Sequence, residues 1–372
     1  MQNQLSFLEK SNLYWLKDNT IFLSVVGSQS YGLSTPESDV DYKGVAIPPI
    51  QYFTGFQNRF EQAEFKAPNP DCVIFNIIKW IKLACDCNPS TIEILWTDPE
   101  FYVITSKYWD KIIEHRDLIL SKNIRWRFGG YAFSQLKKMK RHYRFLNNPP
   151  KITPTRTEFG LPEEFKIPKN QLDAALSMIQ KKIDNWSFDL SGLDESQRIE
   201  LKDAVTDIMI DIVGSSLFLE KEDLWRAAAI SLGFETNFIE LIQKEKEYKQ
   251  KKEDWQHYQE WKKNRNSKRA ELEGKVGYDS KDATALIRLL RMGKEILTTG
   301  KVIVRRPDRE ELLAIKRGEW KYEDIISYAE ETNLELDLLY KTTKLPNEPN
   351  RKFFDELCSE IVEEFIFNER HN

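Results

Sequence analysis

The first regular feature of the chain is an apolar run, Ile21, Phe22, Leu23, Val25 and Val26, rich in β-branched residues. It predicts a buried strand that ends where Gly27-Ser28 breaks the pattern. The polar segment from Gln29 to Ser38 is then spanned by a short helix or a loop, and a second strand is predicted from about Asp39 to Ile47. After Pro70-Asp71 the run CVIFNI is a third β-rich stretch, passing directly into a helical pattern, NIIKWIKLA. Ahead of the first strand, residues 6–19 place Phe7, Leu8, Tyr14, Trp15 and Leu16 as packing positions of a short helix. Pro48-Pro49 ends the second strand, and residues 51–66 read as a loop with an edge strand.

From Asp117 onward the apolar spacing becomes helical. Helices are predicted at 123–145, 171–186, 195–219 and 223–231, then as a long Lys/Glu-rich exposed helix over 236–269 with breaks near Asn264 and Asn266. Amphipathic helices follow at 322–339 and 350–367. Pro149, Pro150, Pro154, Pro162 and Pro168 mark the stretch between Asn147 and Pro168 as a loop or linker. The expected architecture is an α/β (α+β) N-terminal domain over 1–120 followed by a mainly α-helical region over 121–372, with a Pro-rich loop at 147–168. No fixed-period repeat is visible, which disfavours a solenoid.

Composition changes this picture little. A chain of 372 residues is long enough for two or three domains. Net charge is −4, so any nucleic-acid surface has to be local. One such band exists: between Leu118 and Thr157 there is no Asp or Glu, while Lys122, Arg125, Arg127, Lys137, Lys138, Lys140, Arg141, Arg144, Lys151 and Arg156 occur. Trp126, Tyr131 and Tyr143 are interleaved, a mixture that suits phosphate neutralisation and base stacking. A surface helix with its aromatics inward and its lysines solvated satisfies the same pattern. The four cysteines, Cys72, Cys85, Cys87 and Cys358, lack zinc-knuckle spacing and read as reduced core thiols. No signal peptide is evident and no apolar run approaches the ~18 residues of a membrane span, so a cytoplasmic protein is expected.

The chemistry concentrates in the first two strands. Asp39 and Asp41 alternate with Val40, so both carboxylates leave one face, roughly 7 Å apart. Two hard cations bridged between two acids and the phosphates of a nucleotide suit that spacing. Gly27 permits close approach to a phosphate, and Ser28 offers a hydroxyl and an amide. A calcium loop starting at Asp39 would put Lys43 at its fifth position and Ile50 at its twelfth, where the bidentate acid belongs, and so fails.

The string GSQSYGLSTPESDVDYKGV resembles the signature of DNA polymerase β-type nucleotidyltransferases, and more narrowly the RNA-ligase-associated, RlaP-like family. That resemblance implies transfer of NMP from an NTP to a hydroxyl acceptor, using Mg²⁺ or Mn²⁺. It implies Asp39 and Asp41 as catalytic metal ligands, and Gly27, Ser28, Ser30 and Tyr31 as the nucleotide-binding turn. A third carboxylate is required, for which Asp71 is the choice and Glu61, Glu64 and Glu93 are rivals. The motif continues in Asn88-Pro89 and the acidic-apolar segment through Trp96.

A second resemblance to the family lies at 264–320, where Gly277-Tyr278-Asp279-Ser280-Lys281 opens a helix carrying Arg288-Leu289-Leu290-Arg291. In that family histidine is frequent where Asp282 and Ala285 stand, so a histidine-dependent role is not expected here. Asp279 or Ser280 caps the helix. Lys281, Arg288 and Arg291 then share a stripe suited to a triphosphate, although arginines there can equally pair with acids. Beyond it, Asp308 is expected to cap a further helix. The family's association with RNA ligases points to an RNA or tRNA end as acceptor. AMP transfer to a protein or small molecule, and a non-catalytic nucleotide- or RNA-binding module, are the alternatives. The residues specify neither the base nor the oligomeric state.

Overall fold

The structure is a computed structural model and describes residues 5–9, 11–36, 38–56, 59–67, 70–164, 169–186, 229–230, 232–265 and 267–371. The apolar run TIFLSVV forms strand β1 (Thr20–Val26), buried along nearly all its length. It sits inside a five-stranded sheet of order β3-β4-β2-β1-β5, with β2 at Asp41–Ala46, β3 at Gln62–Phe65, β4 at Cys72–Asn76 and β5 at Tyr102–Ile104. β2 and β4 run parallel, and the other pairs are antiparallel. Strand alternation sends Leu23, Tyr42, Ala46, Cys72 and Ile74 to one face, where they meet Phe7, Leu8, Trp15 and Leu16. Phe22, Val45 and Phe75 leave the other face and join the main core. There Phe22 stacks on Trp109 with centroids 3.8 Å apart, and Trp80 meets Trp109 edge-on at 5.0 Å.

Two element boundaries differ from expectation. β2 starts at Asp41, so Asp39 lies in the approach to the strand. Before β1 the regular helix is only α1 (Ser6–Glu9), because Ser11 turns the chain by accepting from the Leu13 amide at 3.1 Å. A short helix α2 (Gln51–Thr54) precedes the edge strand β3. The CVIFNI run behaves as predicted: β4 gives way at once to α3 (Ile77–Cys85), whose N-cap Asn76 accepts from Ile78 N at 2.8 Å. Asn88 caps α4 (Pro89–Leu95) in the same way, with proline in its first turn. Helices α5 (Lys107–Glu114) and α6 (Ile124–Asn147) complete the N-terminal part.

The chain divides into two compact units, one of Met1–Asn147 with Asn266–Asn372, the other of Asn148–Arg265. The second contains α7 (Lys169–Trp186) and α8 (Thr236–Asn264), with a small cluster of Ala175, Ile179, Ala229, Ile239 and Ile242. Its Pro-rich segment is tied down by Arg156, which donates to Pro162 O at 2.7 Å and pairs with Glu245 on α8. The helix predicted at 195–219 lies outside the described residues, as does that at 223–231 except for the helical residues 229–230.

In the first unit the chain resumes with α9 (Ser267–Val276), α10 (Ser280–Thr299), α11 (Arg309–Lys316), α12 (Tyr322–Thr342) and α13 (Arg351–His371). Asp279 is the cap of α10, accepting from the Lys281 and Asp282 amides at 2.9 and 3.3 Å. α10 is buried on most sides, with Leu286, Ile287, Leu290, Met292, Ile296 and Leu297 inside. A Cβ on Gly293 would stand 3.2 Å from that of Phe128, so this glycine sets how closely α10 and α6 pack. The architecture is therefore a mixed five-strand sheet with helices, followed by a mainly helical C-terminal region. Among the described residues no helix is long and apolar enough to cross a membrane.

Asp308 departs from its expected role. It occupies the N-cap position of α11 without capping it, because its carboxylate is taken by Arg291 at 2.6 Å and Arg306 at 2.8 Å. Burial opposes ionisation there, but the hydrogen bonds from Arg291 and then Arg306 prevail and hold the carboxyl below its ordinary 3.8. A lowered folded pKa gives stability above the unfolded value, lost as pH falls through the folded one. Asp308→Asn is therefore expected to cost about 1–3 kcal/mol near neutrality, discounted for partial exposure. Urea unfolding at about pH 3 should show the gap to wild type narrowed; an equal gap at both pH values would refute the assignment.

Candidate active site

β1 ends against a turn that only glycine fits. Gly27 has φ of +72°, and a Cβ there would stand 2.9 Å from Asp41 Oδ2. The turn closes on itself: Gly27 O accepts from the Tyr31 amide at 3.1 Å and from the Ser30 hydroxyl at 3.1 Å, and Ser28 O accepts from the Leu33 amide at 2.8 Å. Ser30 is buried, so its hydroxyl holds the shape of the turn, while Ser28 and Tyr31 are half-buried.

The sheet register then gathers the acids. Asp41 lies opposite Val26, the last residue of β1. Tyr42 donates its amide to Asp71 O at 2.8 Å and pairs with Cys72, so Asp41 and Asp71 head adjacent parallel strands. Asp39, exposed, is two residues upstream of Asp41. Burial, then the Asp71 charge and more weakly Asp39, push the Asp41 carboxyl above its ordinary 3.8, against an opposing field from Lys281. The oxygens of these three acids do not all come within 4.8 Å of one another. Among the described residues that spacing is met by His142, Asp279 and Asp282. In that group Asp279 is committed to capping α10, and Lys138 donates to Asp282 at 2.9 Å. Hard oxygen donors on neighbouring acids, one of them repelled by the others, fit a hard divalent cation such as Mg²⁺ or Mn²⁺.

The rival acids are placed elsewhere. Glu61 pairs with Lys79 at 2.9 Å, and Glu64 stands on the edge strand beside Gln62 and Lys66. Glu93 lies behind the Gly27 turn, where Arg288 pairs with it and the Tyr31 hydroxyl donates to its other oxygen at 2.5 Å. The Arg288 guanidinium also covers the Tyr31 ring at 3.8 Å. Burial works against its charge, but Glu93 and then Tyr31 hold the pKa above its ordinary value. Arg291 is occupied by Asp308, Glu311 and the Tyr328 hydroxyl. Of the three cations on the predicted stripe, Lys281 is the exposed one, and it is the one whose field reaches Asp41.

Sequence reasoning missed several partners. Lys43 leaves β2 on the same face as Asp41 and donates to Ser90 Oγ at 2.8 Å; burial chiefly lowers its pKa. The turn carbonyls are held from the C-terminal half: Arg306 N reaches Tyr31 O at 3.1 Å, Arg309 Nε reaches Gly32 O at 2.5 Å and Lys316 Nζ reaches Leu33 O at 2.9 Å.

The basic band divides in two. Arg125 is buried against Asp337 and Asn333, Lys140 reaches Glu330 at 3.3 Å, and Trp126 leans on Tyr340. Tyr131 is 42% exposed and its hydroxyl accepts from Asn88, the cap of α4, at 2.8 Å. Lys137 and Arg144 also lie on the exposed face of α6.

Residues 1–147 match the model of the RNA repair pathway DNA polymerase beta family, RlaP. The match ends at the residue where the first segment of the first unit ends. The chain is also 30% identical over 130 residues to an uncharacterized 38.9 kDa protein in the nrdC-mobD intergenic region of Enterobacteria phage T4. That similarity covers 32% of this chain and 38% of the phage protein. The N-terminal sheet with its helices is thus a polymerase β-like region, of a kind whose enzymes typically use divalent metals and which is linked to RNA repair.

Proposed function

On the premise that residues 1–147 are a region of the RNA repair pathway DNA polymerase beta family, we propose that the protein is a metal-dependent nucleotidyltransferase. It moves the NMP of an NTP to a hydroxyl acceptor, an RNA or tRNA end, and releases pyrophosphate. The observation that carries this reading is the placement of Asp41 between the Gly27 turn and Asp71, with Asp39 just upstream.

Asp39, Asp41 and Asp71 would hold a pair of divalent cations, Mg²⁺ or Mn²⁺, shared among the three acids rather than one ion ligated by all of them. When bound, the pair would supply Lewis acidity at the α-phosphate and make the attacking hydroxyl more acidic. Asp71 takes the proton of that hydroxyl at its carboxylate as the new O–P bond forms and the bond to pyrophosphate breaks. The Gly27-Ser28 turn presents donors to the β- and γ-phosphates, and Lys281 faces them from the start of α10. Ser30 fixes the turn from below. Arg288, through Glu93 and Tyr31, and Arg291, through Asp308 and Arg306, act as positioning residues that keep the turn in place.

The test is to supply each α-labelled NTP with Mg²⁺ to the full chain in the presence of RNA fragments, tRNA and protein. Label in RNA or tRNA with release of pyrophosphate, abolished by chelator, is expected. Label in protein or a small molecule would move the acceptor to the AMP-transfer reading. NTP binding without any transfer would leave a binding module.

A further inference from the structure

Resting on that nucleotidyl-transfer reading, we propose that the groove at the C-terminal end of α6 is a nucleobase-stacking subsite for the single-stranded end of the acceptor. The groove has a volume of about 520 Å³, and Tyr143, Lys275, Gly277, Trp320, Lys321 and Tyr322 are among its lining residues. A space of this size takes a nucleoside with room for the adjoining phosphate.

Its floor is an aromatic platform. Tyr143 of α6 and Tyr322, the first residue of α12, stack with centroids 4.0 Å apart and planes within 12°. Both are half-buried, so the platform keeps accessible surface. Trp320 forms a wall whose position is fixed twice: its carbonyl accepts from Tyr278 Oη at 2.6 Å, and its ring meets Tyr328 edge-on at 5.9 Å. The two turns bounding the groove depend on glycine. Gly277 has φ of +84° where it passes Tyr143, and Gly318, with φ of +81°, would bring a Cβ within 2.6 Å of Val276.

Charge favours a strand with phosphates over an uncharged ring. Lys321 is exposed at the rim, as is Lys275, which pairs with the exposed Glu271 one turn back on α9 at 2.7 Å, and Arg144 adjoins Tyr143 on the exposed side of α6. The acid Glu319 is held by Arg317 at 2.5 Å, which leaves Glu323, in the first turn of α12, as the opposing rim charge. A preorganised aromatic surface with exposed cations at its edge recognises bases without reading their identity. Position agrees as well. Gly277 precedes Lys281 by four residues, so the groove opens within ~14 Å of the cation that faces the catalytic acids. An acceptor with its terminal hydroxyl at Asp41 therefore lays a base a short way back along the strand onto the platform.

The experiment uses the full chain and fluorescein-labelled single-stranded oligoribonucleotides, followed by anisotropy and by rates of label transfer. Tyr143→Leu with Tyr322→Leu is expected to weaken binding of a strand of roughly 12 nucleotides by about 5- to 150-fold. Transfer to a dinucleotide, too short to reach the groove, should keep its wild-type rate, and Tyr322→Phe, which retains the ring, should bind like wild type. If the leucine pair folds poorly, Lys275→Glu with Lys321→Glu provides the second arm: weaker binding and a shallower salt dependence are expected. Wild-type affinity in the leucine pair, or in the glutamate pair when it is the arm used, would overturn the subsite. So would equal loss with the dinucleotide. Those results leave the nucleotidyl-transfer reading standing if the wild-type protein labels RNA. A wild-type protein that labels no RNA would instead remove the reading on which the subsite rests.

Discussion

Asp41→Asn is expected to lower nucleotidyl transfer on the order of a thousandfold or more, without loss of fold stability. The size follows from removing a ligand charge where a cation contributes several kcal/mol at the reacting phosphate. The stability half follows from sign. The folded carboxyl is raised above 3.8 by burial and by its acidic neighbours, so its ionisation opposes folding at pH above the folded value. A neutral amide removes that opposition near neutrality, and the difference from wild type should vanish as pH falls below about 4. Mg²⁺ should raise the wild-type melting temperature by linkage and leave the variant nearly unmoved. Transfer at wild-type rate in the Asn protein would end the metal assignment.

The largest effect on stability is expected from Arg288→Met. Glu93 and Arg288 are each less than a tenth exposed, and removing the cation leaves a buried carboxylate with the Tyr31 hydroxyl but without its countercharge. Breaking a buried pair from one side costs about 3–5 kcal/mol. Replacing both partners, Arg288→Met with Glu93→Met, should recover most of that, since no charge is then left unmatched. Because Tyr31 loses a contact over its ring in either protein, KM for the NTP should rise more than kcat falls. Urea unfolding and steady-state kinetics separate the two consequences, and an Arg288→Met protein as stable as wild type would mean that the pair is not made.

Local features of this fold were legible because they are local. The β-branched run ending at Gly27, the strand carrying Asp41 and the CVIFNI segment leading into α3 each declare themselves within a few residues. So did the cap at Asp279 and the break after Asn264. Illegible features depend on partners far away in the chain. Arg288 sits 195 residues from Glu93, and a helical stripe of cations reads the same whether it faces a phosphate or an internal acid. Asp308 has the composition of a cap, yet two arginines outcompete the helix amides for its oxygens. Asp71, Glu61, Glu64 and Glu93 were equally acidic in sequence; parallel pairing of β2 with β4 puts Asp71 beside Asp41.

The second unit interrupts the first between Asn147 and Asn266. During synthesis, the strands and the aspartates emerge long before Arg306, Arg309 and Lys316, which fasten the carbonyls of the bend after β1. A ribosome-bound chain that has not yet reached residue 306 thus carries Asp39, Asp41 and Asp71 with that bend unfastened. The bend after β1 therefore reaches its full set of hydrogen bonds only after residues 277 and 283 positions downstream have been made and folded against it.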